Sequence, residues 1–493
     1  MRHATPARTS LATHRDHHPG DSRFRSSFRT VGTTLDGTLG LVVGDGFQLG
    51  LFNEFEPQGT PVPLSQVKAA IGTGGLERAG NDGTGIDVAL IDTGVVPVAG
   101  LDRGDVVAHG PDLSFDQQAG LAPGLDGYGH GTHLAGIIAN REAGSNGGIA
   151  PASRLLNLKV DASNGAVDVS QVIAAIDWVV QHRSADGLNV RVLNLSYGTD
   201  GVQPYELDPL THAIESAWRN GIVVVVAAGN TGGSLTNPAT DPFVITVGAA
   251  DLKDPKKPGD DVVADYSAIG SATRRVDVVA PGTSIVSLRD PGSTVDRENP
   301  SARVGDRHFR GSGTSQAAAV TSGAIADLLE ARPTLAPDQV KALLKATARP
   351  LPRSTASSQG AGMIDLAAAW KANLPSRTTQ DLAASTGKGS LERARGSVHV
   401  SLDGRELRGE IDVQSAPWTP DVWAPLSSAG TAWSGGTWNG NVWAGAGYQD
   451  GSAAFTGRTW KSATWTGRTW KGDTWTGRTW KGDSWTGRTW KSA

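Results

Sequence analysis

The chain has 493 residues, of which 19% are charged and 38% hydrophobic, with a net charge of −4 and no cysteine. This balance excludes a highly charged disordered chain, and the lack of cysteine excludes disulfides, thiol nucleophiles and zinc–thiolate sites. No run of 18 uncharged apolar residues occurs, so the sequence predicts no transmembrane helix.

The two ends of the chain are basic and the middle is acidic. Residues 1–30 carry six Arg against two Asp, and residues 451–493 carry eight Lys and Arg against two Asp. No apolar segment follows the basic start, so no ordinary signal peptide is visible. We interpret residues 1–62 as a largely disordered N-terminal extension.

Residues 63–372 have the pattern of an α/β domain. Apolar, β-branched runs predict strands at 86–91, 191–195, 222–226, 244–247 and 276–279. Helical patterns lie at 130–140, 169–182 and 209–219, and a further helix starts near Pro337. Continuous apolar strands that alternate with helices indicate a mostly parallel sheet covered on both faces, that is, a three-layer α/β/α domain.

The C-terminal part is predicted to hold three segments. Residues 373–396 are small and polar, as in a linker, and residues 397–417 have the alternation of a β-hairpin with a turn at Asp403-Gly404. Residues 418–493 are a repeat, with twelve of the fifteen Trp mostly five residues apart. Because Thr and Trp favour strands and Gly recurs in most units, we expect a small, independently ordered β-rich module, either a solenoid or successive hairpins.

The role of this Trp repeat stays open at the level of sequence. Its indoles could simply be the core of the repeat, with Arg and Lys in water. They could instead stack on sugars of a glycan or the cell envelope, whereas nucleic acid is not expected.

Three short motifs carry candidate catalytic residues. Asp92 ends the first strong strand in Asp-Thr-Gly, at the edge where open α/β sheets bind ligands. His130 opens a helix in Gly-His-Gly-Thr-His, where flanking glycines leave the imidazole accessible. A metal pair of His130 with His133 is the alternative, but the pattern lacks the Glu of His-Glu-x-x-His.

The third motif is Gly-Thr-Ser-Gln-Ala, in which Ser315 stands at the start of an uncharged, Ala-rich helix. The helix N-terminus favours negative charge that develops near the serine oxygen. The alternative is that Ser315 is an ordinary N-cap.

Together the motifs place Asp, His and Ser in the chain order of subtilisin. Residues 65–372 resemble the subtilisin-like serine proteases, the subtilases, whose three signatures contain Asp92, His130 and Ser315. The resemblance implies a subtilisin-like fold and a serine endopeptidase that works through these three residues and an acyl-enzyme. It also implies that Asn230 serves the oxyanion hole.

The resemblance further assigns two edge segments that would pair with the main chain of an extended peptide. One contains Ser196, Tyr197 and Gly198, with Tyr197 in place of the usual Leu, and the other contains Gly165. Both would act through the backbone.

Several departures from the family pattern matter. The loop at 141–148 lacks the run that holds the family's strong calcium site, so we expect no cofactor and no metal there; a weaker cation site elsewhere stays open. The family's inhibitory propeptide is not recognisable in residues 1–62. Ala319 and Val320 replace the Pro-His that commonly follows the serine motif.

The resulting prediction is a serine endopeptidase that acts on protein or peptide substrates. The alternative is an inactive scaffold that binds the envelope or a polymer through its Trp repeat. We expect an extracellular or cell-surface location, although no signal peptide is visible.

Overall fold

The computed structural model describes residues 41–42, 53–118, 124–254, 257–402, 405–443, 480–481 and 490–491. The predicted turn at Asp403-Gly404, nearly all of residues 1–52 and most of the Trp repeat after Trp443 lie outside the described residues. No helix in the described part of the chain is long and apolar enough to cross a membrane.

Thirteen α-helices occur in the described residues: α1 Leu64–Ile71, α2 Gly74–Arg78, α3 Phe115–Gln118, α4 His130–Ala139, α5 Val169–His182, α6 Pro209–Arg219, α7 Thr294–Glu298, α8 Thr314–Ala331, α9 Pro337–Thr347, α10 Ala356–Gln359, α11 Leu366–Lys371, α12 Leu391–Arg395 and α13 Pro420–Ala429. Two short 3-10 helices are Pro258–Asp260 and Pro300–Ala302. The strands in the same ranges are β1 Leu41–Val42, β2 Asp87–Asp92, β3 Val107–Asp112, β4 Arg154–Lys159, β5 Val190–Leu195, β6 Val223–Ala227, β7 Ile245–Asp251, β8 Val262–Val263, β9 Val278–Pro281, β10 Ile285–Leu288, β11 Arg303–Val304, β12 His308–Gly311, β13 Ser401–Leu402, β14 Arg405–Glu406, β15 Trp433–Ser434, β16 Thr437–Trp438, β17 Asn441–Val442, β18 Trp480–Lys481 and β19 Trp490–Lys491.

The centre of the fold is an eight-stranded sheet in the order β3-β4-β2-β5-β6-β7-β8, with β9 also paired to β7. Its pairs are parallel except for β7 with β8. Every residue of β2 and of β6 is buried, so helices must cover both faces of the sheet. Helices α4 and α8 pack together, and α5 packs on α6. The mostly parallel sheet between helices is therefore confirmed.

Helices α5 and α6 begin and end where the apolar periodicity predicts. Asp168 caps α5 by accepting from the Ser170 amide at 2.9 Å, and Gln171 accepts in return from the Asp168 amide at 2.7 Å. Asp208 caps α6 by accepting from the amides of Leu210 and Thr211, with Pro209 as the first residue of the helix. These local signals fix the helix starts without help from distant residues.

The predicted linker at 373–396 is packed against the α/β domain. It contains α12, whose Arg395 guanidinium lies 2.6 Å from the Asp168 carboxylate with both side chains buried. The two residues of this ion pair are far apart in the sequence. Composition alone therefore does not reveal the contact and predicts a free linker instead. The hairpin that follows is short, with Leu402 of β13 opposite Arg405 of β14.

The described part of the Trp repeat forms helix α13 followed by the small antiparallel sheet β15-β16-β17. Trp423 and Trp438 both donate their indole N–H to Asp177 of α5, at 2.8 and 2.9 Å, and Ser427 donates to its other oxygen. Trp433 donates to the carbonyl of Ala174, also in α5. The described part of the repeat thus contains β structure, as predicted, but these contacts argue against the expectation that it is ordered independently of the α/β domain.

We expect Asp177→Ala to lower the free energy of unfolding by about 1–3 kcal/mol, because it leaves buried donors of Trp423, Trp438 and Ser427 without their acceptor. Urea titration followed by Trp fluorescence measures the effect. The matched control is Val422→Ala in α13. The Val422 side chain is 62% exposed, so its loss should change the free energy of unfolding by less than about 0.5 kcal/mol.

Truncation after residue 375 should lower the free energy of unfolding more than Asp177→Ala does, because it removes all of these contacts. Unchanged stability of the truncated chain would contradict this packing argument.

Candidate active site

Asp92 and His130 meet at the carboxyl edge of the sheet. Asp92 is the last residue of β2 and His130 is the first of α4; Asp92 Oδ1 lies 2.8 Å from His130 Nδ1. The same Asp92 oxygen accepts from the Thr93 amide at 2.8 Å, which holds the carboxylate in place. Both side chains are almost completely buried. This contact orients the imidazole so that Nε2 points away from Asp92.

Two glycines allow this close approach. Gly129 has φ +108°, a left-handed conformation that disfavours other residues. At Gly131, a Cβ atom would overlap the carbonyl oxygen of Gly94, in the loop after β2. The helix start is also organised by buried Asp126, which accepts from the amides of Gly129 at 2.6 Å and Thr132 at 2.8 Å. Sequence reasoning missed Asp126, although an acidic residue just before a helix was the available signal.

Ser315 lies in the first turn of α8 and is buried. The N-cap of this helix is Gly313, and no side chain caps it, so the alternative N-cap role of Ser315 is wrong. Asn230 follows β6 and is fixed by its Oδ1, which accepts from the Thr314 amide and hydroxyl, each at 2.9 Å. The other end of the amide, Nδ2, therefore faces Ser315. The structure thus brings Asp92, His130, Ser315 and Asn230 to one place.

A fifth side chain, Glu54, occupies the centre of this group. Its Oε1 accepts from Ser315 Oγ at 3.0 Å and from Asn230 Nδ2 at 2.6 Å, while its Oε2 lies 3.2 Å from His130 Nε2. Sequence reasoning missed Glu54 because it falls in the predicted disordered extension and no local motif distinguishes it. The Glu54 carboxylate therefore contacts Ser315, Asn230 and His130, the three side chains that would act on the carbonyl group of a substrate.

The two histidines of the motif differ in protonation. Burial alone would lower the pKa of His130, but the carboxylates of Asp92 and Glu54 raise it well above the ordinary value. Burial and the nearby His130 lower the pKa of His133 to about 3, so His133 is neutral. His133 packs under the ring of Phe55, with 5.5 Å between ring centroids. His130 is therefore the histidine in contact with the other site residues.

The predicted peptide-binding segments lie at the carboxyl ends of β4 and β5. Ser196, Tyr197 and Gly198 follow β5, and Ser196 Oγ lies 3.5 Å from the Ser315 carbonyl. The Tyr197 side chain is buried in the main core, so only the backbone of this segment can face a ligand. Gly165, with φ +82°, lies beyond β4, and the ring of Tyr128 would contact a Cβ there.

The loop at 141–148 is held by protein groups. Asn140 Nδ2 donates to the Asn146 carbonyl at 2.8 Å, and Asn140 Oδ1 accepts from the Glu142 amide at 3.0 Å. Glu142 pairs with Arg307 and lies 3.3 Å from His308. In the residues that the structure describes, no three His, Asp or Glu side chains are grouped as metal ligands would be.

Comparison with known proteins gives one family. The model of the subtilase family matches residues 83–364. Serine protease AprX of Bacillus subtilis is 36% identical over 275 residues, which are 53% of this chain and 61% of AprX. Subtilisin Savinase of Lederbergia lenta is 31% identical over 321 residues, which are 64% of this chain and all of that protein.

A solved structure of a subtilisin-related enzyme is also similar to this chain. Fervidolysin from Fervidobacterium pennivorans, described as a keratinolytic enzyme related to subtilisin, superposes with a TM-score of 0.50 at 30% identity. The similarity covers 62% of this chain and 46% of that one. This chain spans less than two thirds of AprX and of fervidolysin.

Proposed function

The chain belongs to the subtilase family, and on that basis we propose that it is a serine endopeptidase that hydrolyses peptide bonds through Asp92, His130 and Ser315. The observation that carries the proposal is the contact of Asp92 with His130 Nδ1, close to Ser315: His130 Nε2 and Ser315 Oγ reach the same Glu54 carboxylate. The relatives AprX and Savinase carry the names of a serine protease and a subtilisin. No observation favours the alternative of an inactive binding scaffold.

In the proposed mechanism, Asp92 holds the His130 tautomer that carries its proton on Nδ1. Nε2 of the neutral His130 then takes the proton of Ser315 as Oγ attacks the scissile carbonyl carbon. The protonated His130, stabilised by Asp92, gives that proton to the leaving amine, and an acyl-enzyme remains on Ser315. Water, deprotonated by His130, hydrolyses this ester and frees Ser315.

Asn230 is proposed to donate its Nδ2 hydrogen bond to the oxyanion together with the backbone N–H of Ser315. Because Thr314 fixes the other end of the amide, this donor needs no reorganisation when charge develops. We expect Asn230→Ala to lower kcat by about 10²–10³-fold with a smaller change in KM. Steady-state hydrolysis of a peptide anilide checks this. Equal kcat in the variant and the wild type would contradict the oxyanion role.

Substrates are proposed to be proteins or peptides in an extended conformation. Residues 196–198 and Gly165 follow β5 and β4, the two strands that flank β2 in the sheet, and their backbones would pair with the substrate main chain. The proposed location is extracellular or on the cell surface. Envelope or glycan contact through the Trp repeat stays a prediction, since most of that repeat is outside the described residues. That no cofactor is required also stays a prediction.

Labelling with a fluorophosphonate tests the proposal directly. Ser315 Oγ would attack phosphorus and displace fluoride, while its proton passes to His130. We expect one label per chain, located on Ser315 by peptide mapping. A label on another residue would overturn the assignment.

A further inference from the structure

A segment from the C-terminal part of the chain lies beside one of the two proposed peptide-binding edges, residues 196–198. This segment, residues 385–397, is called the brace below. It comes after position 364, where the match to the subtilase family ends. Thr199, the residue that directly follows the edge, donates its hydroxyl hydrogen to the carbonyl of Ala394 in the brace at 2.6 Å. The brace therefore contacts the chain where the peptide-pairing segment ends.

The contacts continue along the loop that follows the edge. The Ser397 amide donates to the Asp200 carboxylate at 2.6 Å. Gln203 and Ser390 are joined twice, since Gln203 Oε1 accepts from the Ser390 amide at 3.1 Å and Nε2 donates to the Ser390 carbonyl at 2.9 Å. Two backbone bonds complete the set, from the amides of Thr386 and Gly389 to the carbonyls of Glu206 and Leu207, at 2.7 and 2.6 Å. The brace thus holds residues 199–207 along their length.

The brace itself is fixed to the α/β domain. Near its end, the buried Arg395 guanidinium lies 2.6 Å from Asp168, the residue that caps α5. At its start, the Ser385 amide donates to the Glu215 carboxylate of α6 at 2.9 Å. Both helices pack on strands of the central sheet. The position of the brace is therefore set by the rigid part of the molecule.

The edge is also held on its other sides. It follows β5 directly, and Thr199 exchanges two backbone hydrogen bonds with Asn237, at 2.8 and 3.0 Å. The buried Tyr197 side chain lies near the ion pair of the brace: burial raises the pKa of Tyr197 well above its ordinary value, Asp168 raises it further, and Arg395 opposes this. A backbone segment that is ordered beforehand loses little freedom when a peptide pairs with it, which strengthens binding.

We propose that the brace is a positioning element of the substrate site, which holds the backbone of residues 196–198 where it pairs with an extended peptide. The proposal rests on the proposed function and extends it to a part of the chain outside the family match. The brace acts through Thr199 and Asp200 and does not itself touch the substrate. Loosening the edge weakens the binding of substrate and transition state alike, so it raises KM and leaves kcat unchanged.

The test removes the contact between Thr199 and Ala394 in the full-length protein. Thr199→Val keeps the shape of the side chain but loses the hydroxyl, whereas Thr199→Ser keeps the hydroxyl. We expect Thr199→Val to raise KM for a tetrapeptide anilide at least about fivefold and to keep kcat within about twofold. Thr199→Ser should restore the KM of the wild type. The matched control is Thr347→Val, since the Thr347 hydroxyl donates to the Leu343 carbonyl at 2.8 Å within α9.

The length of the substrate separates positioning from a general loss of stability. An ester of a single acylated amino acid hardly reaches the edge, so Thr199→Val should leave its kcat/KM within about twofold of the wild type. Asp200→Ala removes a second, independent contact with the brace. Because the Asp200 side chain is exposed, this variant should fold normally and raise KM for the tetrapeptide anilide in the same way.

The outcomes also separate the brace from the proposed function. Wild-type KM for the tetrapeptide anilide in both Thr199→Val and Asp200→Ala would overturn the brace and leave the endopeptidase proposal standing. An equal loss on the short and the long substrate, or a fall in kcat alone, would overturn it too. Labelling of Ser315 by a fluorophosphonate should proceed at the same rate in every variant. Its absence in all of them would overturn the proposed function, and the brace proposal with it.

Discussion

Replacing Ser315 by alanine is expected to lower kcat/KM on a peptide anilide by about 10⁴-fold or more, with the fold unchanged. The loss is large because His130 and Asp92 act only through the serine oxygen, so removing it disables all three together. Folding should be intact because Gly313, and not Ser315, is the N-cap of α8. Ser315 Oγ donates a hydrogen bond to Glu54, in the segment before α1.

The measurement is steady-state hydrolysis together with thermal unfolding of the same preparation. Thr321→Ala serves as the control, because Thr321 is another buried hydroxyl residue of α8 and its hydroxyl donates within the helix to the Ala317 carbonyl. The control should retain turnover. If Ser315→Ala kept the turnover of the wild type while Tm was unchanged, Ser315 would not be the nucleophile.

The second large effect is expected at His130. His130→Ala should remain folded and lose about 10⁴-fold or more in kcat/KM, because His130 Nε2 is the base that takes the Ser315 proton in the proposed mechanism. His133→Ala should retain most of its turnover and lose stability, by about 1–3 kcal/mol, because it leaves a cavity under the Phe55 ring.

The paired measurements are kcat/KM and urea unfolding for both variants. The roles are reversed if the folded His133 variant is the inactive one and His130→Ala turns over normally. The pH profile adds a second readout: the activity of His133→Ala should still rise with pH as the wild-type activity does, since the pKa of His133 is far below the assay range.

Much of the framework could be predicted from local sequence. Helices α5 and α6 have the bounds that the apolar periodicity predicts, and the structure shows that their caps, Asp168 and Asp208, are equally local. Strands β2, β5 and β6 were found from their apolar runs, within one residue at each end. Strand β4 was not predicted, although it lies between β2 and β3 in the sheet.

The sequence alone also determined the identities of the candidate catalytic residues. Asp92, His130 and Ser315 each stand in a short motif whose neighbours serve the geometry, such as Gly129 and Gly131 at the start of α4. Because these requirements are met within a few residues of each side chain, they are visible without the fold.

Which distant residues meet these elements depends on the three-dimensional fold. Glu54 reaches Ser315 across 261 positions, and Trp423 and Trp438 reach Asp177 across 246 and 261 positions. Nothing near Glu54 or Asp177 in the sequence specifies these partners, because a buried carboxylate can be satisfied by any donor that the fold brings within hydrogen-bond distance. The candidate catalytic residues are thus set by local motifs, whereas the contact of Glu54 with them and the docking of the Trp repeat depend on long-range packing.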